Sequence, residues 1–113
     1  MILEQRTYTL HPGKVHEFLG VVEEYGLPVL KPTLGNLIGY FYTDVGTVNQ
    51  VVHLWAYESQ ADREIRRAKL EAMPEFLDFA GRARPLMQTM EARILIAAKF
   101  NTVPLMNVDP AAK

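Results

Sequence analysis

The chain of 113 residues has no cysteine and a single serine, Ser59. Without cysteine it can form no disulfide, no thiolate metal site and no thiol nucleophile. Lys+Arg is 12 and Asp+Glu is 13, so the formal net charge is -1, which provides no broad attraction to nucleic acid or to an anionic membrane. No apolar run approaches the roughly 18 residues of a membrane-spanning helix. We therefore expect a cytoplasmic protein with no membrane span and no nucleic-acid partner.

The chain also lacks the motifs of several common kinds of site. It has no Gly-rich phosphate loop, because Gly35 and Gly39 fall within a predicted strand. His11 and His16 are five residues apart, a spacing that does not place two metal ligands on one helix face. Ser59 is expected to cap a helix rather than to act as a nucleophile. We expect no metal site and no cofactor.

Hydrophobic periodicity predicts one α+β domain with the order β-α-β-β-α-α-β. The predicted strands are Ile2 to Leu10, Gly35 to Thr43, Val48 to Tyr57 and Met87 to Ala98. This order is that of a ferredoxin-like antiparallel sheet with helices on one face. The domain is expected to cover residues 1–100, and residues 101–113 are expected to be a tail or arm.

The predicted helices are placed by their apolar stripes and their end signals. In the first, Val15, Phe18 and Val22 share one face. We expect that helix to end at Gly26, with a loop over residues 27–34 because of two prolines. The second begins after Ser59 and carries Asp62 and Arg66 in the favourable acid-first i,i+4 order. A further short helix follows Pro74.

The two faces of the predicted sheet are both rich in apolar residues. On the third strand, Val52 and Leu54 alternate with Val51, His53 and Trp55. Helices can cover only one face, and monomers seldom expose a large apolar patch. We therefore infer a subunit interface on the other face, most simply in a two-fold homodimer. The rival interpretation is that a long loop or the 101–113 tail covers this face.

Several ordered segments of the chain resemble the NIPSNAP family. They are Arg6–Lys14, Leu34–Phe41 and Gly46–Ser59, followed by Ala61–Arg63, and the similarity extends over about residues 2–100. The resemblance implies a dimeric α/β-barrel, in which two sheets pack face to face. It assigns no reaction. Similar barrels in other families act as cofactor-free monooxygenases, isomerases or haem-binding enzymes, which is an analogy from fold alone.

His53 is the candidate for chemistry, because it lies in an apolar and aromatic strand where it could act as a general base. The alternative is a core histidine that hydrogen-bonds to a neighbour. Arg6 and Tyr8 alternate with Glu4 on the first strand, where they could orient a polar ligand or form an ion pair. Tyr40 and Trp55 could contact a ligand or simply fill the core.

These residues support two functional hypotheses of different classes. The first is a homodimeric binding or interaction module that takes a small apolar or aromatic ligand. The second is a cofactor-independent, monooxygenase- or isomerase-like enzyme for a small carbonyl or phenolic substrate, with His53 as base and Tyr40 and Arg6 holding an oxyanion. A basic cluster after Ser59 (Arg63, Arg66, Arg67 and Lys69) is expected to be a solvated helix face.

Overall fold

The computed structural model describes residues 1–106. Its elements are β1 (Ile2–Leu10), α1 (Val15–Val21), a π-helical turn (Val22–Gly26), α2 (Leu27–Leu34), β2 (Asn36–Tyr42), β3 (Gln50–Tyr57), α3 (Gln60–Glu71), α4 (Pro74–Ala83), a 3-10 turn (Arg84–Leu86) and β4 (Met87–Leu95). The strands form one antiparallel sheet in the order β2-β3-β1-β4. This confirms the predicted α+β, ferredoxin-like arrangement.

The segment 27–34 is a helix, so the predicted loop is wrong. Gly26 has a φ of −89° rather than the left-handed conformation of a helix cap, and a π-helical turn joins α1 to α2. Pro28 lies in the first turn of α2, where a missing N–H is tolerated. Gly35 supplies the left-handed cap, with a φ of 91° and its N–H donating to the Lys31 carbonyl at 2.9 Å.

The helix α3 begins as its sequence predicts. The Asp62 N–H donates to Ser59 Oγ at 3.1 Å, which satisfies one of the free donors at the helix start. Arg66 Nε donates to Asp62 Oδ1 at 2.9 Å, one turn further along. Both the predicted cap and the predicted i,i+4 pair are therefore confirmed.

One face of the sheet lies under the helices, and we call it the covered face. On β3 it carries Val51, His53, Trp55 and Tyr57, each at most 4% exposed. The strand register places Arg6 of β1 and Tyr40 of β2 directly beside His53. A register shift between Leu37 and Gly39 lets β2 keep both Leu37 and Tyr40 on this face. Three strands thus bring their polar residues to one level.

The opposite face, the open face, is mixed in character. Near β2 and β3 it is apolar, with Val52 and Leu54 partly exposed and Phe41 56% exposed. Toward β4 it is polar, where Arg93 pairs with Glu91 at 3.0 Å. The expectation of an apolar face therefore holds for only one half of it.

Residues 96–106, which follow β4, leave most of their apolar side chains exposed. The strand ends at Leu95 rather than at the predicted Ala98, and residues 96–106 contain no helix or strand. Ile96 and Phe100 are 82% and 86% exposed, so this segment does not pack them on the open face. The rest of the predicted tail, residues 107–113, lies outside the described residues.

Candidate ligand cavity

A cavity of about 90 Å³, partly open to solvent, lies between the covered face and the helices. The five site residues predicted from the sequence all line this cavity: Arg6, Tyr8, Tyr40, His53 and Trp55. The remaining wall comes mainly from the helices and the start of β4: Leu30, Leu34, Arg67, Phe76, Phe79, Ala80, Ala83, Arg84, Met87 and Met90. Most of this lining is apolar, and its charged members are all arginines.

His53 is held in an aromatic cage. Its Nδ1 accepts a hydrogen bond of 2.7 Å from Trp55 Nε1, two residues along the same strand. Its ring stacks on Tyr40, with centroids 4.5 Å apart and planes 13° from parallel. Tyr8 meets it edge-on at 4.9 Å. The other ring nitrogen, Nε2, is buried and has no hydrogen-bond partner among the described residues.

Burial and nearby cations keep the His53 ring neutral. Burial is the largest influence, and with the charges of Arg6 and Arg67 it lowers the pKa of His53 from 6.5 to about 3. Burial also raises the pKa of the neighbouring Tyr40 hydroxyl well above its usual value. At neutral pH the cavity therefore presents an uncharged imidazole beside a protonated phenol.

Arg6 belongs to a buried polar network on β1. Its Nε donates to the Tyr8 hydroxyl at 2.7 Å, and its Nη1 lies 3.4 Å from Glu4 Oε2. Arg63 of α3 also donates to that carboxylate oxygen, through Nε at 3.0 Å. Burial opposes the charge of Arg6, but Tyr8 and Glu4 together raise the pKa of Arg6. Arg6 thus lines the cavity, and it also forms an ion pair with Glu4, which the sequence analysis gave as the alternative to contacting a ligand.

The wall contributed by the helices was not identified from the sequence. Arg67, assigned above to a solvated face, lines the cavity. One signal could have found it: Arg63, Arg67 and Leu70 follow the i, i+4, i+7 spacing of a single helix face, and Leu70 is fully buried. A stripe that ends in a core leucine should point inward along its whole length.

Other residues noted in the sequence lie away from the cavity lining. His16 instead meets the ring of the 52% exposed Tyr42 edge-on, with centroids 5.4 Å apart. Arg66 donates to Asp62 and to the Thr33 carbonyl instead of joining its neighbouring arginines. The basic cluster on α3 is thus divided among separate partners and does not form one anion site.

The described part of the chain has neither a metal-type cluster of side chains nor a membrane-spanning helix. Within residues 1–106, no three His, Asp or Glu side chains gather as a metal site would require. Over the same residues, no helix combines the length and apolar character needed to cross a bilayer.

Comparison with curated proteins gives relatives of a single kind. The chain is 29% identical over 99 residues to Protein NipSnap homolog of Dictyostelium discoideum, covering 88% of this chain and 44% of that protein. It is 32% identical over 106 residues to Protein NipSnap homolog 2 of Mus musculus, covering 92% and 36%. The chain thus spans less than half the length of these curated relatives.

Solved structures add close matches over nearly the whole chain. An uncharacterized NIPSNAP-like domain protein from Burkholderia xenovorans is 44% identical with a TM-score of 0.88, covering 97% of this chain and 96% of that one. An antibiotic biosynthesis monooxygenase has a TM-score of 0.60 at 14% identity, over 87% of this chain and 99% of that one. The second match shows a shared fold alone. Since the family model of NIPSNAP matches residues 3–102, this chain belongs to the NIPSNAP family.

Proposed function

We propose that this NIPSNAP protein binds a small, largely apolar molecule in the cavity under its helices. The observation that carries the proposal is the composition of the wall, where aromatic rings surround the space and arginines border it. Binding sites for small molecules are mostly apolar, with a few polar groups that fix orientation. The aromatic wall here comes from Tyr40, His53 and Phe76. The polar groups that could fix the orientation of a ligand are Arg6 and Arg67.

The size of the cavity limits the ligand. A space of about 90 Å³ exceeds what one water needs, but it is smaller than the roughly 150 Å³ cavity that encloses a benzene. The cavity is partly open, and Met90 in its lining is 52% exposed. A ligand would therefore place one compact head group inside and rest its remaining atoms against this flexible side chain.

Fragment binding to matched variants tests this proposal. Ala80 lines the cavity and is 4% exposed, so Ala80→Leu should fill it, whereas Ala68→Leu on the exposed side of α3 should not. Trp55 is the only tryptophan and lines the cavity, so its fluorescence reports occupancy. Aromatic fragments should quench it in the wild-type protein and in Ala68→Leu, but not in a folded Ala80→Leu. Equal quenching in all three, or none in the wild type, would refute the proposal.

We also propose that the chain is a homodimer joined through the apolar half of the open face. The support is the exposure of Phe41 beside Val52 and Leu54, together with the family resemblance. Light scattering should give twice the subunit mass. Leu54→Lys should give the mass of one subunit, whereas Ile65→Lys, on an exposed helix position, should leave the dimer intact. A wild-type monomer at micromolar concentration would contradict the proposal.

The alternative of an enzyme with His53 as general base has less support. The Nδ1 of His53 already accepts the Trp55 N–H, and a ring with a pKa of about 3 is a weak base at neutral pH. The likeness to a monooxygenase is one of fold. A cavity of about 90 Å³ is also far too small to enclose a haem. We therefore favour binding over catalysis.

A further inference from the structure

The Trp55 contact determines where His53 carries its proton. An indole N–H can only donate, so the His53 Nδ1 that it contacts at 2.7 Å must be the acceptor. A neutral imidazole has one donor nitrogen and one acceptor nitrogen. The proton therefore resides on Nε2, the nitrogen that is buried and without a partner among residues 1–106. His53 is thus fixed as a donor that has no acceptor in the described part of the chain.

A buried, unpaired N–H is costly unless a ligand accepts from it. The cavity lining also has an unbalanced charge: it contains Arg6, Arg67 and Arg84 but no carboxylate. Glu4 offsets part of the charge of Arg6, whereas Arg67 lies 3.6 Å from the mostly exposed Glu71 carboxylate. The walls therefore favour a ligand that brings both an acceptor and a negative charge.

We propose that the cavity selects a small aromatic oxyanion, and that the Nε2–H of His53 donates to its charged oxygen. This deepens the proposed binding function and rests on it. The oxyanion is the compact head group inside the cavity, the aromatic part rests against the half-exposed Met90, and the arginines balance the charge. Burial is the main cause of the depressed pKa of His53, and the charges of Arg6 and Arg67, which add to it, would also favour an anion. Trp55 acts as a positioning residue, because it sets the tautomer without contacting the oxyanion.

Nitrogen NMR of the ligand-free full chain tests the tautomer. Two-bond ¹H–¹⁵N spectra should show a protonated Nε2 and an unprotonated Nδ1 for His53, unchanged between pH 8 and pH 5. The charged or titratable groups facing the ring are Arg6, Tyr8, Tyr40, Arg67 and Arg84. The signals of the exposed His11 and His16 are identified by their loss in the Gln variants of these two residues. In Trp55→Phe the proton should divide between both nitrogens. A proton on Nδ1, or an imidazolium at pH 7, in the wild type would overturn the proposal.

A panel of probes of similar size tests the ligand class. Benzoate is the oxyanion, benzamide a neutral acceptor, toluene has no acceptor and benzylamine is a cation. By calorimetry, benzoate should bind at least about tenfold more tightly than toluene, the usual value of one hydrogen bond to a charged group. Benzylamine should be the weakest. The double variant His53→Phe with Trp55→Phe removes donor and partner together, so it should lose the preference for benzoate and keep the affinity for toluene.

The outcomes separate this inference from the function on which it rests. If toluene and benzoate bind equally well, the cavity binds ligands but His53 does not select them, and this inference alone fails. If no probe binds, the proposed function and the ligand class fail together. The wild-type spectrum and the wild-type ranking of probes need no variant, so both decide the question even if the double variant does not fold.

Discussion

The two faces of the sheet differ in how they accommodate polar side chains. On the covered face, Glu4 and His53 are at most 4% exposed, and they are held by Arg63 and Trp55 respectively. On the open face, the charged pair of Glu91 and Arg93 remains more than half exposed. A buried charge is tolerated only when it is paired, whereas an exposed pair contributes little either way. The covered face is therefore the one on which polar residues are tightly constrained.

This difference indicates where a function should be sought. Buried polar side chains are expensive, and they are usually explained either by a complete network or by a ligand. Three buried side-chain atoms have no hydrogen-bond partner among residues 1–106: Glu4 Oε1, the Tyr57 hydroxyl and His53 Nε2. Of these three residues, His53 is the one that lines the cavity. The predictions below compare positions on the two faces, beginning with the largest expected effect.

Removing a buried carboxylate should cost far more than removing an exposed one. Glu4→Ala leaves Arg6, 11% exposed, without its ion pair, and breaking such a pair typically costs about 3–5 kcal/mol of unfolding free energy. Glu91→Ala is the matched control on the open face and should cost about 0.5 kcal/mol or less. Urea denaturation of both variants at one protein concentration measures the difference. Similar costs for the two substitutions would show that the network on β1 is not structural.

Adjacent valines on β3 provide a second comparison with identical chemistry. Val51 is fully buried on the covered face, so Val51→Ala should destabilise the fold by about 2–3 kcal/mol. Val52 points to the open face and is only partly buried, so Val52→Ala should cost about 1 kcal/mol or less in a dilute sample. Urea denaturation over a range of concentrations measures both.

The concentration series also bears on the proposed dimer. If Val52 is buried between two subunits, the cost of Val52→Ala should grow with protein concentration, because association stabilises the folded state by mass action. The cost of Val51→Ala should stay constant. A Val52→Ala cost that does not change with concentration would argue against an interface at this position.

The parts of the fold that depend on local chemistry could be predicted from the sequence. The cap at Ser59 and the pair between Asp62 and Arg66 involve neighbours in the chain, and alternation alone places His53 in phase with Trp55. For the same reason the sequence predicts the strand side of the cavity, including Arg6 and Tyr40. Period-2 alternation determines which side chains share a face.

The remainder depends on contacts between distant segments. A Cβ at Gly26 would lie 2.7 Å from the Phe79 ring, so this glycine makes room for α4 and does not end a helix. Nothing near Gly26 in the sequence signals that contact. The helix wall of the cavity was not predicted for a related reason, since only helix-on-sheet packing brings Arg67 and Phe76 into the same lining as His53. Sequence periodicity predicts which side chains share one face of an element, but it does not predict which other element packs against that face.

The burial of His53 should also make stability depend on pH. Its pKa is about 3 in the folded chain and about 6.5 when unfolded, so as the pH falls the unfolded state takes up a proton first. Stability is then lost from about pH 6.5 downward, by about 2 kcal/mol between pH 7 and pH 5. Denaturation at both pH values should show this loss in the wild type and in the exposed-site control His11→Gln. It should be absent from the His53→Phe, Trp55→Phe double variant, and a wild type equally stable at both pH values would contradict it.

The smallest expected effect comes from replacing two glycines in the helices over the covered face. One of them, Gly26, is packed against another side chain, and the other, Gly20, has open space around it. Gly26→Ala must displace the Phe79 ring. Overpacking costs about 1–3 kcal/mol, but alanine regains up to about 1 kcal/mol as a better helix former, so a net loss of about 1 kcal/mol is expected. Gly20→Ala in α1 meets no atom within 4 Å and should gain about 0.5–1 kcal/mol. Thermal unfolding of both variants should give a lower midpoint temperature than the wild type for Gly26→Ala and a higher one for Gly20→Ala. If both substitutions stabilised the chain, α4 would have to be free to move away from α2, and the cavity beneath it could then admit a ligand larger than its present volume allows.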